Sequence, residues 1–399
     1  MRILPHIELS YCTNVHPGEG VDELNRIIED DLSIIKKHRC PHQDFGTGLR
    51  LGAETVYALH KSPNRLQELK ISLEREGLYV FSVNGFPYGD FAAPHIKEEV
   101  YEPGWSTLER VRYTLALAKV MTELPGTPLR TISTVAGGFV PQPSLLKAHD
   151  DEYRKNFGIL ALGLAELEEE TGVSVRLAIE PEPWTRLESI DQAIPFFREV
   201  VWPSSPYAEK HIGLCYDTCH QALAFEDPHT SWQRLREVGI PVYKVQISNA
   251  LRLSNPQNLA ERKRLLSFAE PRYLHQVTAM SSEGKLLRAL DLNELSEPSN
   301  AWLSATEWRC HFHVPIWWDQ ESQPDGDAAE LCTTSDHWRG IAELIKDPSA
   351  RSERLDEHPL HVEVETYSWH VLPSALKSER GLHAEILREL ETLTLALLI

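Results

Sequence analysis

The sequence predicts an α/β chain folded as a (β/α)8 barrel, and three short apolar runs that each end in an acid are the main reason. RLAIEPEP at 176–183 stops on Glu180, GLCYDTCH at 213–220 on Asp217, and HVEVETYSW at 361–369 on Glu365. A carboxylate at the end of an otherwise buried strand is expensive unless it has a partner or a task. Parallel α/β barrels bring such strand ends together at one mouth. The second observation is the alternation of strand and helix signals, which is the pattern of a parallel sheet. The third is size: 399 residues with 42% hydrophobic content can bury a large core. That length suits one barrel of roughly 250 residues plus insertions.

Strands are expected at 7–12, 48–51, 78–84, 129–134, 174–180, 212–217, 242–248, 309–314 and 361–365. Helical periodicity fills the intervals at 21–37, 64–76, 107–124, 150–171, 190–200, 231–238 and 335–345. Gly172 after the 150–171 helix is a C-terminal stop, and an amphipathic helix at 383–397 would close the ring. Nine strand signals compete for eight places, so either 48–51 or 309–314 lies outside the barrel. The stretch 250–300 is charged, irregular and too long for an ordinary connection. It reads as an excursion inserted after the 242–248 strand, in a single barrel domain spanning 1–399.

Charge narrows the function. The net charge is −19, from 40 basic and 59 acidic residues, and no basic run interrupts it. Such a surface repels phosphate backbones and anionic membranes, so nucleic acid is not an expected ligand. No stretch approaches the roughly 20 apolar residues of a transmembrane helix, and the opening MRILPHIELSYC lacks the apolar core of a signal peptide. Six cysteines without a disulfide framework or zinc spacing fit a reducing cytoplasm.

Strand periodicity assigns the faces. Glu180 shares a face with Ala178 and Arg176, Asp217 with Cys215 and Gly213, Gln246 with Lys244, His313 with His311, and Glu365 with Glu363. The opposite faces carry Leu177, Ile179, Leu214, Val245, Phe312, Val362 and Val364, which should meet the helices. The polar residues then point into the barrel, mostly in the second half of the chain.

DTCH at 217–220, EPEP at 180–183 and VETY at 364–367 resemble the xylose-isomerase-like TIM-barrel superfamily, which includes sugar epimerases and the endonuclease IV type of repair enzyme. The resemblance implies a divalent metal (Zn, Mn or Mg) held at strand ends, with Glu180, Asp217 and Glu365 as ligands. It also implies that His220, three residues after the acid, touches metal or substrate. Where the superfamily brings a further histidine, KVQIS places Gln246, a neutral oxygen donor that suits a harder cation. His311 or His313 would otherwise complete the set. A longer series is similar to the EboE family of "metabolite traffic" proteins: SYCTNVHPGE, FGTGLRLGAE, LYVFSVNGFPYGDF, VYEPGW, CYDTCHQALAFEDP, FAEPRYLHQV, HFHVP and HVEVETYSWHVLP, in that order. That resemblance implies bacterial gene clusters that deliver specialised metabolites, some aromatic or terpenoid, with partners encoded beside it.

The chemistry expected is metal-assisted proton transfer next to a carbonyl of a small, sugar-like metabolite. Glu180 and Glu365 would take and return the proton, with His220 in support and Glu182 as a further base. Tyr11, Asn14, His16, Asn84, Phe86, Trp184, His311 and Trp318 follow strand ends and would line the ligand site. Each has a bland counterpart. Glu180 and Asp217 would equally pair with buried Arg or Lys, Glu363 with Lys244, and His220, His311 and His313 would serve as hydrogen-bonded core residues. A second class of function is a binding or carrier protein that keeps the mouth without turnover, which Gln246 and the aromatic rim favour. Phosphodiester cleavage is the remote alternative, because it asks for more histidine ligands and a basic groove.

Overall fold

A computed structural model describes residues 1–318, 332–377 and 380–399. The chain opens with β1 (Arg2–Leu4), antiparallel to β2 (Ile7–Tyr11). Strands β3 (Phe45–Arg50), β4 (Leu78–Asn84), β5 (Gly126–Val135), β6 (Ser174–Glu180), β7 (Ile212–Asp217) and β8 (Val242–Ile247) follow, each separated from the next by helix. Five more strands come next: β9 (Asn249–Leu253), β10 (Val277–Met280), β11 (Leu286–Ala289), β12 (Glu307–Val314) and β13 (Cys332–Thr333). Strand β14 (Leu360–Val364) comes last, before a helix at Leu382–Leu398.

The main sheet runs β1-β2-β14-β8-β7-β6-β5-β4-β3, parallel everywhere except at β1. A parallel bridge between Cys12 and Gly48 brings its edges together, so β2 through β8 and β14 make a nearly closed eight-stranded barrel. Gly48 is glycine for a packing reason: a Cβ there would land on the buried Glu363 carboxylate and crowd the Tyr11 carbonyl. That seam explains why β3 is weakly written, as FGTGLR rather than a β-branched run. Local signals set the surrounding helices. Thr107 Oγ1 accepts from the Arg110 N–H at one start, and Gly172, at φ 72°, ends Asp150–Thr171 as anticipated.

The ninth strand candidate is now placed. Residues 309–314 belong to β12, in a second sheet ordered β11-β10-β12-β9-β13 and wholly antiparallel. This sheet sits in the chain between β8 and the Ser335–Lys346 helix, so the excursion reaches beyond the expected 250–300. Alternation alone could not separate the two sheets, because β12 buries one face against a core just as a barrel strand does. Opposite β9 the register of β12 slips between Cys310 and Val314, so His311, Phe312 and His313 lie in a bulge. Bulges bend a strand and re-aim its side chains.

Inside the barrel, Lys244 Nζ meets Glu363 Oε2 at 2.8 Å and donates to Ser133 Oγ at 3.1 Å, all fully buried. Burial is the largest single influence and opposes the charge on Lys244, but the Glu363 carboxylate together with the other acidic groups around it outweighs burial and raises its pKa. Among the described residues no helix is long and apolar enough to cross a membrane.

Candidate metal centre at the barrel mouth

Two adjacent strand ends and one loop start supply the acids. Glu180 ends β6, Asp217 ends β7, and Glu365 follows β14, whose neighbour β8 carries Gln246. One carboxylate oxygen from each of Glu180, Asp217 and Glu365 lies within 4.8 Å of the others. All three are nearly inaccessible to solvent. Asp217 has a second duty: its Oδ1 accepts from the N–H groups of Cys219, at 2.7 Å, and His220, at 3.0 Å, capping the Thr218–Leu223 helix. The DTCH motif is thus one device, in which the acid that faces the site also fixes the turn that aims His220.

Gln246 occupies the middle of the acids. Its Nε2 donates to Glu180 Oε1 at 3.0 Å, to Asp217 Oδ2 at 3.4 Å and to Glu365 Oε2, while its Oε1 accepts from Cys215 Sγ at 2.9 Å. The amide therefore presents nitrogen, where metal ligation requires the oxygen. An amide carries two protons for three carboxylates, so the cluster is under-donated. Glu180 Oε2 has no partner. Asn14 and Asn84 each donate to Glu365 Oε1, at 3.1 and 3.0 Å. Burial first, then the Asp217 charge, pushes Glu180 up to about 8. Glu365 is raised well above the carboxylate range by burial and by Glu180 and Asp217.

Beside the acids stand His220, His311 and His313, whose Nε2 atoms point at one another. His313 Nε2 is aimed at the other two rings, although His313, His220 and Asp217 also offer ligand atoms within 4.8 Å of each other. Burial pushes His220 down to about 3 and His313 to about 4, and it pushes His311 well below its ordinary value. All three rings are neutral at pH 7. Glu182 completes the polar floor: Tyr101 donates to its Oε1 at 3.0 Å, and burial raises its pKa well above the usual range.

Glu180, Glu182, Glu365 and the three histidines line a cavity that also takes in Asn14, Asn84, Phe86, Tyr101, Tyr273 and Tyr367. Four expected rim residues lie elsewhere. Tyr11 Oη and His16 Nε2 are 2.9 Å apart and buried, and the far nitrogen of His16 faces Asp31 at 3.5 Å. The Arg288 guanidinium covers Trp184, 4.2 Å from the ring centroid, outside this cavity. Trp318 is buried, its carbonyl accepting from Asn249 and Thr333 at the β9–β13 edge. The cavity also gains residues that sequence reasoning did not single out, namely Tyr101, Tyr273 and Tyr367. Their motifs, VYEPGW, FAEPRYLHQV and VETYSW, were visible, but nothing in them specifies an inward hydroxyl.

A family model described as "Xylose isomerase-like TIM barrel" matches residues 47–266. No curated protein sequence matches the chain. Among solved structures, a xylose isomerase-like TIM barrel protein from Mycobacterium smegmatis in complex with magnesium is 10% identical, with 98% of this chain and 96% of that one aligned at a TM-score of 0.50. A probable 3-DHS dehydratase from Bacillus anthracis is 13% identical over 97% of this chain and 98% of that one, at a TM-score of 0.46. At such identities the likeness is one of fold.

Proposed function

The chain belongs to the xylose isomerase-like TIM barrel family, and from that premise we propose that it is a metal-dependent isomerase or epimerase acting on a small, sugar-like metabolite. The finer reading is an EboE-type role in specialised-metabolite traffic, with partners encoded nearby. The observation that carries the enzymatic reading is the convergence of Glu180, Asp217 and Glu365, buried together, with Glu180 and Glu365 lining the cavity at the barrel mouth. The residues fit a divalent ion. Three converging carboxylates accept from the neutral amides of Gln246, Asn14 and Asn84 and from two backbone N–H groups, which leave Glu180 Oε2 without a partner, and an oxygen-only donor set suits Mg or Mn. Rotating the Gln246 amide by half a turn would add a fourth oxygen. Once bound, the ion would stabilise negative charge that develops on the oxygens of the substrate.

The chain's own contribution is proton transfer. Glu180 and Glu365, convergent and lining the cavity, are the carboxylates placed to take and return the proton. Asn14 and Asn84 hold Glu365 by Oε1, leaving Oε2, now taken by Gln246, as the oxygen to face a substrate carbon. Phe86 and the tyrosines supply apolar walls and hydroxyls for orientation.

A carrier without turnover is the second reading, and Gln246 favours it, since its amide already sits where an ion would. Purified full-length protein, with its metal content measured, would be incubated in deuterated water with co-purifying ligands and a panel of ketoses and aldoses. Incorporation of deuterium next to the carbonyl, dependent on added Mg or Mn, is expected. Stoichiometric ligand binding with no incorporation at any metal loading would overturn the enzyme in favour of the carrier.

A further inference from the structure

We propose that the segment between Tyr88 and Tyr101 is a lid over the barrel mouth, latched to the inserted region, and that a ligand reaches the carboxylates only when this latch parts. The space beneath it is too small for the metabolite proposed above. Phe91, Lys97, Val100 and Tyr101 from the lid, with Tyr273 and Leu274 from the insertion, line a cavity of about 40 Å³. One water needs roughly 10–15 Å³, whereas pockets for small organic ligands start at roughly 300 Å³. The mouth holds a few waters and no sugar, so something above the acids has to move.

The bonds that close the mouth run between loops. The N–H groups of Ile96 and Lys97 both donate to the Arg272 carbonyl at 3.0 Å. Lys97 Nζ donates to the Tyr273 carbonyl at 3.2 Å and pairs with Asp291, which follows β11. Tyr273 Oη donates to the Phe91 carbonyl at 3.1 Å. The rings of Phe91, Tyr273 and Tyr367 pack in a triangle with centroids 4.9 to 5.4 Å apart. Phe91, Ile96 and Tyr273 form a small apolar cluster of their own, apart from the main core. A seam of this kind opens at far less cost than a barrel strand does.

The roots of the lid are fixed, which confines the motion to its middle. Arg110 is fully buried on the Leu108–Glu123 helix. It donates to the Gly85 and Phe86 carbonyls at 2.9 and 3.0 Å and to the Pro103 carbonyl at 2.7 Å. The Tyr88 carbonyl accepts from the Ala53 N–H at 2.8 Å, and Tyr101 is tied to Glu182 and Gln276. Between these anchors Lys97 has φ 34°, in the left-handed region that a lysine keeps only under constraint. The constraint is the latch itself, because the Lys97 N–H and its ammonium both bond across it. Strain at Lys97 therefore favours opening while the bonds favour closure, which is the balance a gate requires. The lid rests on the mouth being the ligand site and not on turnover, since an enzyme and a carrier must both admit a ligand.

Hydrogen exchange of the full-length protein, read by mass spectrometry of its peptides, tests the latch without any ligand, so its failure leaves the proposed reaction standing. In the wild type, residues 90–100 and 268–276 should be protected yet exchange faster than β6 and β7. Their rates should be nearly independent of low denaturant, the mark of a local opening. Asp291→Asn and Lys97→Met each remove the ion pair. Each should speed both segments together by roughly 10-fold while β6 and β7 keep their rates, and the double variant should add little to either single one. Segments that track β6 and β7 in rate and in denaturant dependence would belong to the core and overturn the lid, a comparison that the wild type supplies by itself. Absence of protection in the wild type would equally overturn it, as would variants that speed one segment alone or neither.

Discussion

The carboxylates at the barrel mouth and the histidines beside them are both buried, convergent and short of partners, yet the chain assembles them by opposite routes. Glu180, Asp217 and Glu365 stand at the ends of parallel strands, where barrel geometry alone forces convergence. Of the histidines, only His220 belongs to that scheme, held by the turn that Asp217 caps. His311 and His313 arrive on β12, from a sheet outside the barrel, and point correctly because of a register slip. The oxygen cluster is a property of the fold. The nitrogen cluster is a property of the insertion docked upon it. In the first, burial and then repulsion among like charges favour bound protons, and Glu180 rises to about 8. In the second, burial disfavours the imidazolium form of every ring.

The largest effects should come from breaking the oxygen side. Glu180→Gln and Glu365→Gln keep size and remove the proton acceptor. Each should lower proton exchange on the substrate by roughly 10²- to 10⁴-fold, with ligand affinity within a few-fold of wild type, read by deuterium incorporation and calorimetry. Equal losses of binding and exchange would mean that the acids only hold the ligand. Asp217→Asn should act next. It removes a charge from the oxygen site and should weaken Mn2+ by roughly 10- to 100-fold. The asparagine oxygen still accepts from the Cys219 and His220 N–H groups, so the helix cap and His220 stay in place. Unchanged Mn2+ affinity in that variant would remove Asp217 from the ligand set.

The two clusters also differ in how far the sequence revealed them. An acid closing an apolar run has a period-two face and a strand end, and both survive in the fold, so Glu180, Asp217 and Glu365 were legible as a group. The pairing of Glu363 with Lys244 followed from the same facing rule. His311 and His313 were legible as residues but not as neighbours of His220, because a bulge leaves no trace in alternation. The strand at 309–314 looked like a barrel strand for the same reason, while 48–51 looked doubtful because Gly48 is needed to clear space for Glu363. Tyr11 and His16 failed as rim residues because a nearer partner, Asp31, was available on the first helical segment. Gln246 was noticed as a substitution, but its direction, nitrogen inward, is set by the Cys215 thiol behind it.

The smallest effect concerns the tie between the two regions. Glu389, on the Leu382–Leu398 helix, accepts from Thr366 Oγ1 at 2.6 Å and from the Ile316 N–H at 3.2 Å. Thr366 follows Glu365, and Ile316 lies three residues after His313, so one carboxyl braces both arms. Burial pushes Glu389 from 4.5 up to about 8, against the pull of its Thr366 and Ile316 hydrogen bonds. The sign of the linkage follows. Below about pH 4.5 folded and unfolded chains both hold the proton, and above about 8 neither does. Between them the unfolded chain releases a proton that the folded chain keeps, so stability falls as pH rises, by at most roughly 1.4 kcal/mol per unit from this group. Glu389→Gln keeps an acceptor oxygen for Thr366 and Ile316 and removes the titration. Subtracting its denaturant unfolding curves from those of wild type at pH 5 to 9 should leave that slope and a plateau near the top of the range. If the two proteins run parallel throughout, Glu389 is already ionised in the folded chain and the brace is a charged one. If the brace only steadies the site, Mn2+ affinity in the variant should shift by no more than a few-fold, and a larger loss would make Glu389 part of what holds Glu365 in place.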